Sequence, residues 1–326
     1  MQIGEYELLG SLTTENAGFS KWGFASKDGK TYFIKEFSSP VYPISGKMDE
    51  KQIKQKKELC QKYEEKMKCT YEAVNRCSNG NLVRIQHFFR FRSRYYIVTE
   101  KIDTISMDKP LNFPLEQRKR LCQILLHSVY CLHREGLIHG DLKPENILFK
   151  KLPSGDITAK LIDFDTCFRE NELDPSDEIH CDFVYMAPET LIRELNEEGE
   201  ITSAIDVFAL GLIFHKIMAG SLPSFSKEYD YPCEALVNEK KLYVNCEIQT
   251  EIKNLIEKML DPDPEKRITL AEAFEYFGEE VPGEEVPGNT TFSSFWHSLT
   301  DFQDNPREEP QDNHKSKLRG DLVAKK

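Results

Sequence analysis

The feature that most constrains this chain is a polar segment between two short apolar stubs. Residues 138–149 read Ile-His-Gly-Asp-Leu-Lys-Pro-Glu-Asn-Ile-Leu-Phe, with Asp141, Lys143 and Asn146 in the spacing D-x-K-x-x-N. The stubs are typical of short strands, so the polar residues between them are expected to form a loop. A carboxylate that orients a hydroxyl, a cation that faces phosphate and an amide that holds a metal are what phosphoryl transfer requires. The run therefore indicates a phosphoryl-transfer site.

Further motifs follow this loop along the chain, and their order is informative. They are Leu-Ile-Asp-Phe-Asp at 161–165, Tyr-Met-Ala-Pro-Glu at 185–189, Asp-Val-Phe-Ala-Leu-Gly at 206–211 and Asp-Pro-Glu-Lys-Arg-Ile-Thr at 263–269. Together with the loop, these motifs resemble the eukaryotic-like Ser/Thr protein kinases over roughly residues 6–275. The resemblance implies that Asp206 holds the backbone of the loop and that Arg267 forms an ion pair with Glu189.

The same resemblance implies a role for each polar residue of the loop. Asp141 would orient the acceptor hydroxyl and take its proton late, and Lys143 would neutralise the transferring phosphoryl group. Asn146 and Asp163 would hold Mg²⁺, or Mn²⁺ in its place, beside ATP. Lys143 also favours Ser/Thr over Tyr as the acceptor, because tyrosine-specific relatives usually carry Ala or Arg after the catalytic aspartate.

Lys35 is the expected phosphate contact from the first part of the chain. It ends the alternating strand Tyr-Phe-Ile-Lys at 32–35, and the resemblance implies that its ammonium faces the α- and β-phosphates. A carboxylate from the long helix that follows would hold Lys35 in place. Glu64 is expected to do this because it shares the apolar face of that helix, with Glu65 and Glu72 as alternatives.

The resemblance also places the nucleotide. Gly10 and Gly18 would flank ATP in the first loop, which lacks the tight three-glycine spacing that brings backbone N–H groups against phosphate. Thr99 would lie at the back of the purine pocket. The backbone of Glu100 and Ile102 would read the edge of the adenine.

Several positions depart from the family pattern. Asp165 occupies the place of a glycine after the metal-binding aspartate and is expected to tune metal use. Gly140 replaces the arginine that clamps a phosphorylated activation segment, which predicts activity without that phosphorylation. Asp182 replaces a threonine and is expected to face Lys143. Phe33 replaces a small residue over the adenine and predicts a tighter purine pocket.

Hydrophobic periodicity predicts a change of architecture near residue 102. Strands are expected at 6–10, 21–25, 31–37, 82–91, 94–100 and 157–164, and helices at 49–76, 114–136, 205–219 and 251–260. We therefore predict an α+β, two-lobed protein-kinase-like fold. It comprises a small β-rich N-lobe with one long helix at 1–102, a larger mainly helical C-lobe at 103–278 and a largely disordered tail at 279–326. An apolar, helically spaced segment at 292–302 is expected to dock on the body or on a partner.

Composition excludes several classes of protein. A net charge of −12 argues against a general nucleic-acid or membrane-surface binder, because polyanions are repelled on average. The chain has no leader-like start and no apolar run long enough to span a bilayer. We therefore expect a cytoplasmic protein with no nucleic-acid or membrane partner, and the resemblance implies protein substrates. The nine cysteines are scattered without a C-x-x-C pair, which argues against a disulfide framework or zinc site.

Two other functions stay open at the level of sequence. A nucleotide-binding pseudokinase would act as an interaction module, and the irregular first loop, Asp165 and Asp182 favour it. Retention of Lys35, Asp141 and the residues around them argues against it. A small-molecule kinase would share the catalytic loop but generally lacks the Ala-Pro-Glu segment at 187–189.

Overall fold

The computed structural model describes residues 1–15, 20–44, 49–77, 80–106, 109–170, 172–173, 179–196 and 200–278. These ranges belong to one compact unit, Met1–Asn289, and the second unit, Thr290–Lys326, lies outside the described residues. Gly18, the tail at 279–326 and its aromatic segment at 292–302 also lie outside them. The expectations for these parts remain predictions.

An antiparallel sheet forms the N-terminal part. Its strands in the described ranges are β1 (Gln2–Ile3), β2 (Tyr6–Leu8), β3 (Lys21–Lys27), β4 (Lys30–Glu36), β5 (Ile85–Phe91) and β6 (Arg94–Glu100). They lie side by side in the order β1-β2-β3-β4-β6-β5. The strand predicted from residue 82 begins only at Ile85, because the N–H of Val83 donates to the carbonyl of Leu161 instead.

A tight turn joins β3 to β4 and fixes their register. Asp28 and Gly29 have positive φ angles of 49° and 74°, the conformation that a two-residue hairpin turn needs. This turn joins the strands predicted at 21–25 and 31–37. It sets Trp22 directly opposite Lys35, and residues opposite each other share one face of a sheet.

The long helix α1 (Glu50–Arg76) packs beside this sheet and confirms the predicted helix at 49–76. Asp49 begins it, since its Oδ1 accepts a hydrogen bond from the N–H of Gln52 at 2.8 Å. Its buried residues begin at Cys60, and the turns before that position are mostly exposed. The helix is therefore anchored by its C-terminal part.

Helices dominate the rest of the described chain. They are α2 (Leu115–Arg134), α3 (Pro188–Asn196), α4 (Ala204–Ala219), α5 (Pro232–Val237), α6 (Thr250–Met259) and α7 (Leu270–Ala273). The predicted helices at 114–136, 205–219 and 251–260 correspond to α2, α4 and α6. Helix α4 is buried along nearly its whole length and packs against α2 and α6. None of the helices in the described ranges has both the length and the apolar character needed to cross a membrane.

Short strands hold the polar loop in place. They are β7 (Leu137–Ile138), β8 (Ile147–Lys151), β9 (Ile157–Leu161) and β10 (Phe168–Arg169), with β7 paired to β10 and β8 to β9. The two apolar stubs that flank the loop are thus strands, as predicted. Strand β9 ends earlier than predicted because Phe164–Thr166 forms a short 3₁₀ helix. The α+β fold with a β-rich N-lobe and a larger, mainly helical C-lobe is confirmed.

Candidate active site

The side chain of Asp206, at the start of α4, holds the backbone of the polar loop. Its Oδ2 accepts from the N–H of His139 at 2.7 Å, and its Oδ1 accepts from the N–H of Gly140 at 3.0 Å. Oδ2 also lies 2.9 Å from Nε2 of His133. Burial opposes ionisation of Asp206, but the contacts with His133 and His139 hold its pKa below the ordinary value. The tie predicted for Asp206 is therefore confirmed.

Asp141 is the centre of the loop and is held from several sides. Lys143 Nζ donates to its Oδ2 at 2.6 Å, and Asn146 Nδ2 donates to the same oxygen at 3.2 Å and to the Asp141 carbonyl at 2.8 Å. The backbone N–H of Asp182 donates to Oδ1 at 3.1 Å. The structure thus brings together the three loop residues singled out from the sequence.

Lys35 extends from β4 toward the segment that follows β9. Its Nζ lies 2.8 Å from Oδ1 of Asp163 and 2.6 Å from Oδ2 of Asp165. Asp163 has a left-handed backbone with φ of 63°, which turns the chain out of β9. The N–H of Ile162 donates to the carbonyl of Asn146 at 2.9 Å, so Asp163 and Asn146 lie beside each other. Lys35, Asp163 and Asn146 therefore lie in one region of the structure.

A buried ion pair joins the first turn of α3 to the segment before α7. Arg267 Nη1 and Nη2 donate to the two carboxylate oxygens of Glu189 at 2.6 Å and 3.0 Å, and Nη1 also donates to the carbonyl of Ala204. Bidentate pairing of this kind fixes both side chains. The predicted pair between Arg267 and Glu189 is confirmed.

Comparison with known families decides the identity of the fold. Residues 45–277 match the model of the protein kinase domain. The chain belongs to the protein kinase family.

Several curated relatives are Ser/Thr kinases of modest similarity. The kinase is 28% identical over 222 residues to a probable myosin light chain kinase of Dictyostelium discoideum, covering 63% of this chain and 67% of that protein. It is 26% identical over 258 residues to the serine/threonine-protein kinase H1 homolog of Danio rerio, which covers 74% of this chain and 56% of that protein. It is 30% identical over 164 residues to serine/threonine-protein kinase cds1 of Schizosaccharomyces pombe, which covers 48% of this chain and 34% of that protein. The chain thus spans only part of these last two relatives.

The side chains of Asn146, at the end of the polar loop, and Asp163 suit a divalent cation whose other ligands are phosphate oxygens. Both hydrogen bonds of the Asn146 amide leave from Nδ2, so no described residue donates to its Oδ1. Asp163 contributes a carboxylate beside it. Within the described ranges, no group of three or more His, Cys, Asp or Glu side chains could hold a metal alone. One carboxylate, one amide oxygen and phosphate oxygens together suit Mg²⁺.

The pairing expected for Lys35 is corrected by the structure. Among the described carboxylates, Asp163 and Asp165 are those within 4 Å of its Nζ. Glu64 accepts from the hydroxyl of Tyr95 at 2.7 Å and lies 3.7 Å from Nε of Arg90, so it does not reach Lys35.

The alternative carboxylates on α1 do not pair with Lys35 either. Glu65 accepts from Nε2 of Gln61 at 2.9 Å on the exposed side of the helix, and Glu72 is also exposed. The physical reason is that the Asp165 carboxylate occupies the space beside the Lys35 ammonium, while the hydroxyl of Tyr95 holds Glu64.

Asp165 therefore lies in the interior of the site. Tyr71 of α1 donates its hydroxyl hydrogen bond to Oδ1 of Asp165 at 2.7 Å. Oδ2 is shielded from solvent and receives no hydrogen bond of good geometry from any described residue, although Lys35 lies close. Burial and the neighbouring Asp163 carboxylate raise the pKa of Asp165 to about 7. Burial disfavours the charge of Lys35, but Asp165 and Asp163 raise its pKa above the ordinary value.

The expectation for Asp182 is corrected as well. Its carboxylate Oδ1 accepts from the N–H of Val184 at 2.9 Å, in a local turn, and it does not pair with Lys143. Asp182 reaches Asp141 through its backbone N–H instead. A short side chain that caps its own turn avoids the repulsion between carboxylates.

Partly exposed aromatic rings line the sheet face that carries Lys35. Phe33 stacks on Trp22 with ring centroids 5.6 Å apart, and Phe24 meets Phe33 edge to face at 6.4 Å. Thr99 lies opposite Phe33 in the adjacent strand and is buried. The sequence singled out Phe33, but the contributions of Trp22 and Phe24 depend on the register of β3 and β4.

The remaining predicted nucleotide contacts lie at the edges of this face. Glu100 pairs with Lys160 of β9, and Ile102 is partly buried in the segment that follows β6. Gly10 is exposed, and a Cβ added there would meet nothing within 4 Å. Their contacts with nucleotide remain predictions.

Proposed function

We propose that this kinase transfers the γ-phosphoryl group of ATP to serine or threonine hydroxyls of proteins. The acceptors include hydroxyls of its own chain. The observation that carries the proposal is the convergence of Lys35, Asp141, Lys143, Asn146 and Asp163 at one place between the sheet and the helices. A scaffold does not require this combination, whereas phosphoryl transfer requires each type of group.

Each side chain has a distinct task in this proposal. Asp141 accepts the hydrogen bond of the acceptor hydroxyl, orients its oxygen for attack and receives its proton late in the reaction. Lys143, which already contacts Asp141, balances the negative charge that gathers on the transferring group. Lys35 binds the α- and β-phosphates. Mg²⁺, or Mn²⁺ in its place, bound by Asn146 and Asp163 would neutralise phosphate charge.

The lobe boundary and the acceptor class belong to the same proposal. Strand β6 ends at Glu100, and the N–H of Ile105 donates to the carbonyl of Phe149 in β8. This connection supports a boundary at 102/103 between lobes of 1–102 and 103–278. We propose protein substrates and a cytoplasmic location, with Ser/Thr preference supported by the names of the relatives and by Lys143.

The proposal is tested by incubating the full chain with labelled ATP, Mg²⁺ and a generic protein substrate. We expect transfer by the parent and a loss of at least about 10²-fold for Asp141→Asn and Asp163→Asn. Asp28→Asn is the matched control, because Asp28 lies in the exposed β3–β4 turn and asparagine tolerates its positive φ. Equal transfer by Asp141→Asn and the parent would refute the proposed roles.

A nucleotide-binding pseudokinase is the second candidate, and one observation favours it. Lys35 is already engaged by Asp163 and Asp165, so phosphate must compete with two carboxylates for its ammonium. Nucleotide binding by thermal shift without any transfer to protein would support this candidate. Transfer to a metabolite but never to protein would instead support a small-molecule kinase.

A further inference from the structure

The link between helix α1 and Lys35 follows an unexpected route. Lys35 Nζ lies 2.6 Å from Asp165 Oδ2, and Asp165 Oδ1 accepts from the Tyr71 hydroxyl at 2.7 Å. Tyr71 is buried in the C-terminal half of α1. A continuous chain of polar contacts thus joins the helix to the lysine through the segment after β9.

The carboxylate expected to make this link is engaged elsewhere. Glu64 Oε1 accepts from the buried hydroxyl of Tyr95 on β6, and Nε of Arg90 on β5 lies 3.7 Å from the same oxygen. Both contacts hold Glu64 against strands β5 and β6, while Lys35 projects from β4. Release of Glu64 would leave the Tyr95 hydroxyl without its acceptor, which carries a free-energy penalty in a buried site.

Packing alone does not explain why a carboxylate lies at position 165. Its side chain is 17% exposed, lies beside a second carboxylate, and presents an Oδ2 with no well-oriented donor among the described residues. Burial of a carboxylate next to another one destabilises a fold unless a cation compensates. Lys35 is that cation, so the two side chains depend on each other.

We propose that Asp165, held by Tyr71, is the positioning residue for Lys35 and replaces the helix carboxylate in that task. This inference rests on the proposed function, since it names what aims Lys35 at the nucleotide phosphates. Asp165 acts through Lys35 and does not itself touch the reacting atoms. The Tyr71 hydroxyl connects α1 to Asp165 and, through it, to the lysine.

The test compares Asp165→Asn with Glu64→Gln in the 326-residue chain, and each new side chain is nearly isosteric with the one it replaces. We measure kcat and KM for ATP, the Kd for MgADP and the thermal midpoint. For Asp165→Asn we expect kcat/KM to fall on the order of 10²-fold, with weaker MgADP binding. Lys35 then keeps only its hydrogen bond to Asp163, and the proposed function assigns the Asp163 carboxylate to Mg²⁺. The thermal midpoint should stay level or rise, since the repulsion with Asp163 is removed. A role in folding alone would lower the midpoint and leave the kinetic constants unchanged.

Glu64→Gln is expected to stay within a few-fold of the parent in kcat/KM, because Gln still accepts the Tyr95 hydrogen bond. Tyr71→Phe, which removes only one hydroxyl, should raise KM for ATP less than Asp165→Asn does. The exposed Glu65→Gln is the matched control on the same helix. A parental Kd and kcat/KM in Asp165→Asn, with a large loss in Glu64→Gln, would overturn the inference.

The outcome is separable from that of the proposed function. A parent that binds MgADP but transfers no phosphate refutes the transfer activity, and the Kd comparison still decides which carboxylate positions Lys35. A parent that transfers phosphate, with Asp165→Asn equal to it in every constant, refutes the positioning role alone.

Discussion

Gly140 has a backbone conformation that other residues rarely adopt. Its φ is 78°, and a Cβ added there would lie 2.9 Å from Cε1 of Phe168 and 3.4 Å from the carbonyl of Thr166. An arginine at this position would therefore need both a strained backbone and a shifted ring. Glycine removes the strain while its N–H still donates to Asp206.

Substitution of Gly140 is expected to cost stability. Gly140→Ala should lower the free energy of unfolding by about 1–3 kcal/mol, because the residue is forced to φ above zero and its methyl group contacts Phe168. Chemical denaturation of the parent and variant measures this difference. Gly10→Ala is the matched control, since its added Cβ meets nothing within 4 Å. Equal losses in the two variants would show that the backbone at 140 is not restrictive.

His127 on α2 predicts a pH dependence of stability. Burial lowers its pKa from the ordinary value of 6.5 to about 4. The folded state therefore keeps His127 neutral, whereas the unfolded chain takes up a proton below about pH 6.5. Its contribution to stability is complete above pH 6.5 and is lost as the pH falls toward 4.

As the pH falls from 7 to 4.5, we expect the free energy of unfolding to decrease by about 1–3 kcal/mol because of His127. Urea denaturation of the parent and of His127→Gln across this range measures the effect. The free energy of unfolding of the parent should decrease more steeply toward low pH than that of the variant. Parallel pH profiles would contradict the assignment to His127.

At the level of elements, strands β3 and β4 present an aromatic wall to the expected nucleotide site. The wall consists of Trp22, Phe24 and Phe33, which share the face of Lys35. Aromatic side chains stack on flat rings through dispersion and quadrupole interactions. We therefore expect a purine to bind against this wall.

Tryptophan fluorescence tests this expectation. The chain has two tryptophans, so Trp296→Phe leaves Trp22 as the only reporter. Addition of MgATP to that variant should quench its emission, and Phe33→Leu should weaken nucleotide binding by about 2-fold to 10-fold. Phe89→Leu is the control, because Phe89 stacks on Tyr96 on the opposite sheet face. Unchanged emission at saturating nucleotide would refute the binding of a purine against the aromatic wall.

Elements with strong local signals were predicted closely. Helix α1 has a capping aspartate, no glycine or proline and a long periodic pattern, and it runs from Glu50 to Arg76 against a prediction of 49–76. Helices α3, α5 and α7 were not predicted. They have between four and nine residues, and such short helices are stabilised mainly by packing against neighbours.

At the scale of the whole molecule, the Arg267–Glu189 pair joins distant parts of the C-lobe. Arg267 precedes α7, Glu189 lies in the first turn of α3, and Arg267 also donates to the first residue of α4. Loss of one partner leaves an uncompensated charge in the interior. The pair therefore holds the start of α3 beside the start of α4.

We expect Arg267→Met to lower the free energy of unfolding by about 3–5 kcal/mol and Glu189→Gln to lower it substantially. The double variant should lose less than the sum of the two, because neither side chain then leaves a buried charge alone. Denaturation of the four proteins gives this coupling. Lys266→Met, which removes an exposed cation paired with Asp263, serves as the control and should change little. Strict additivity would argue against a coupled pair.

The sequence by itself determined the family, the lobed α+β architecture and the residues of the polar loop. These follow from local information, since the D-x-K-x-x-N spacing keeps Asp141, Lys143 and Asn146 within six consecutive residues. Periodicity likewise predicts helices and strands from neighbouring residues alone. The resemblance to the kinase family, which the motifs carry, implied the pair between Arg267 and Glu189.

Only the tertiary structure decided which carboxylate joins Asp163 beside Lys35. Glu64, Glu65, Glu72 and Asp165 all offer the same charge, and helical spacing does not reveal which of them meets strand β4. The outcome depends on where α1, the sheet and the segment after β9 meet, which is set by packing between residues far apart in the chain. There Tyr95 holds Glu64 and Tyr71 holds Asp165, so the carboxylate at the glycine position reaches the lysine.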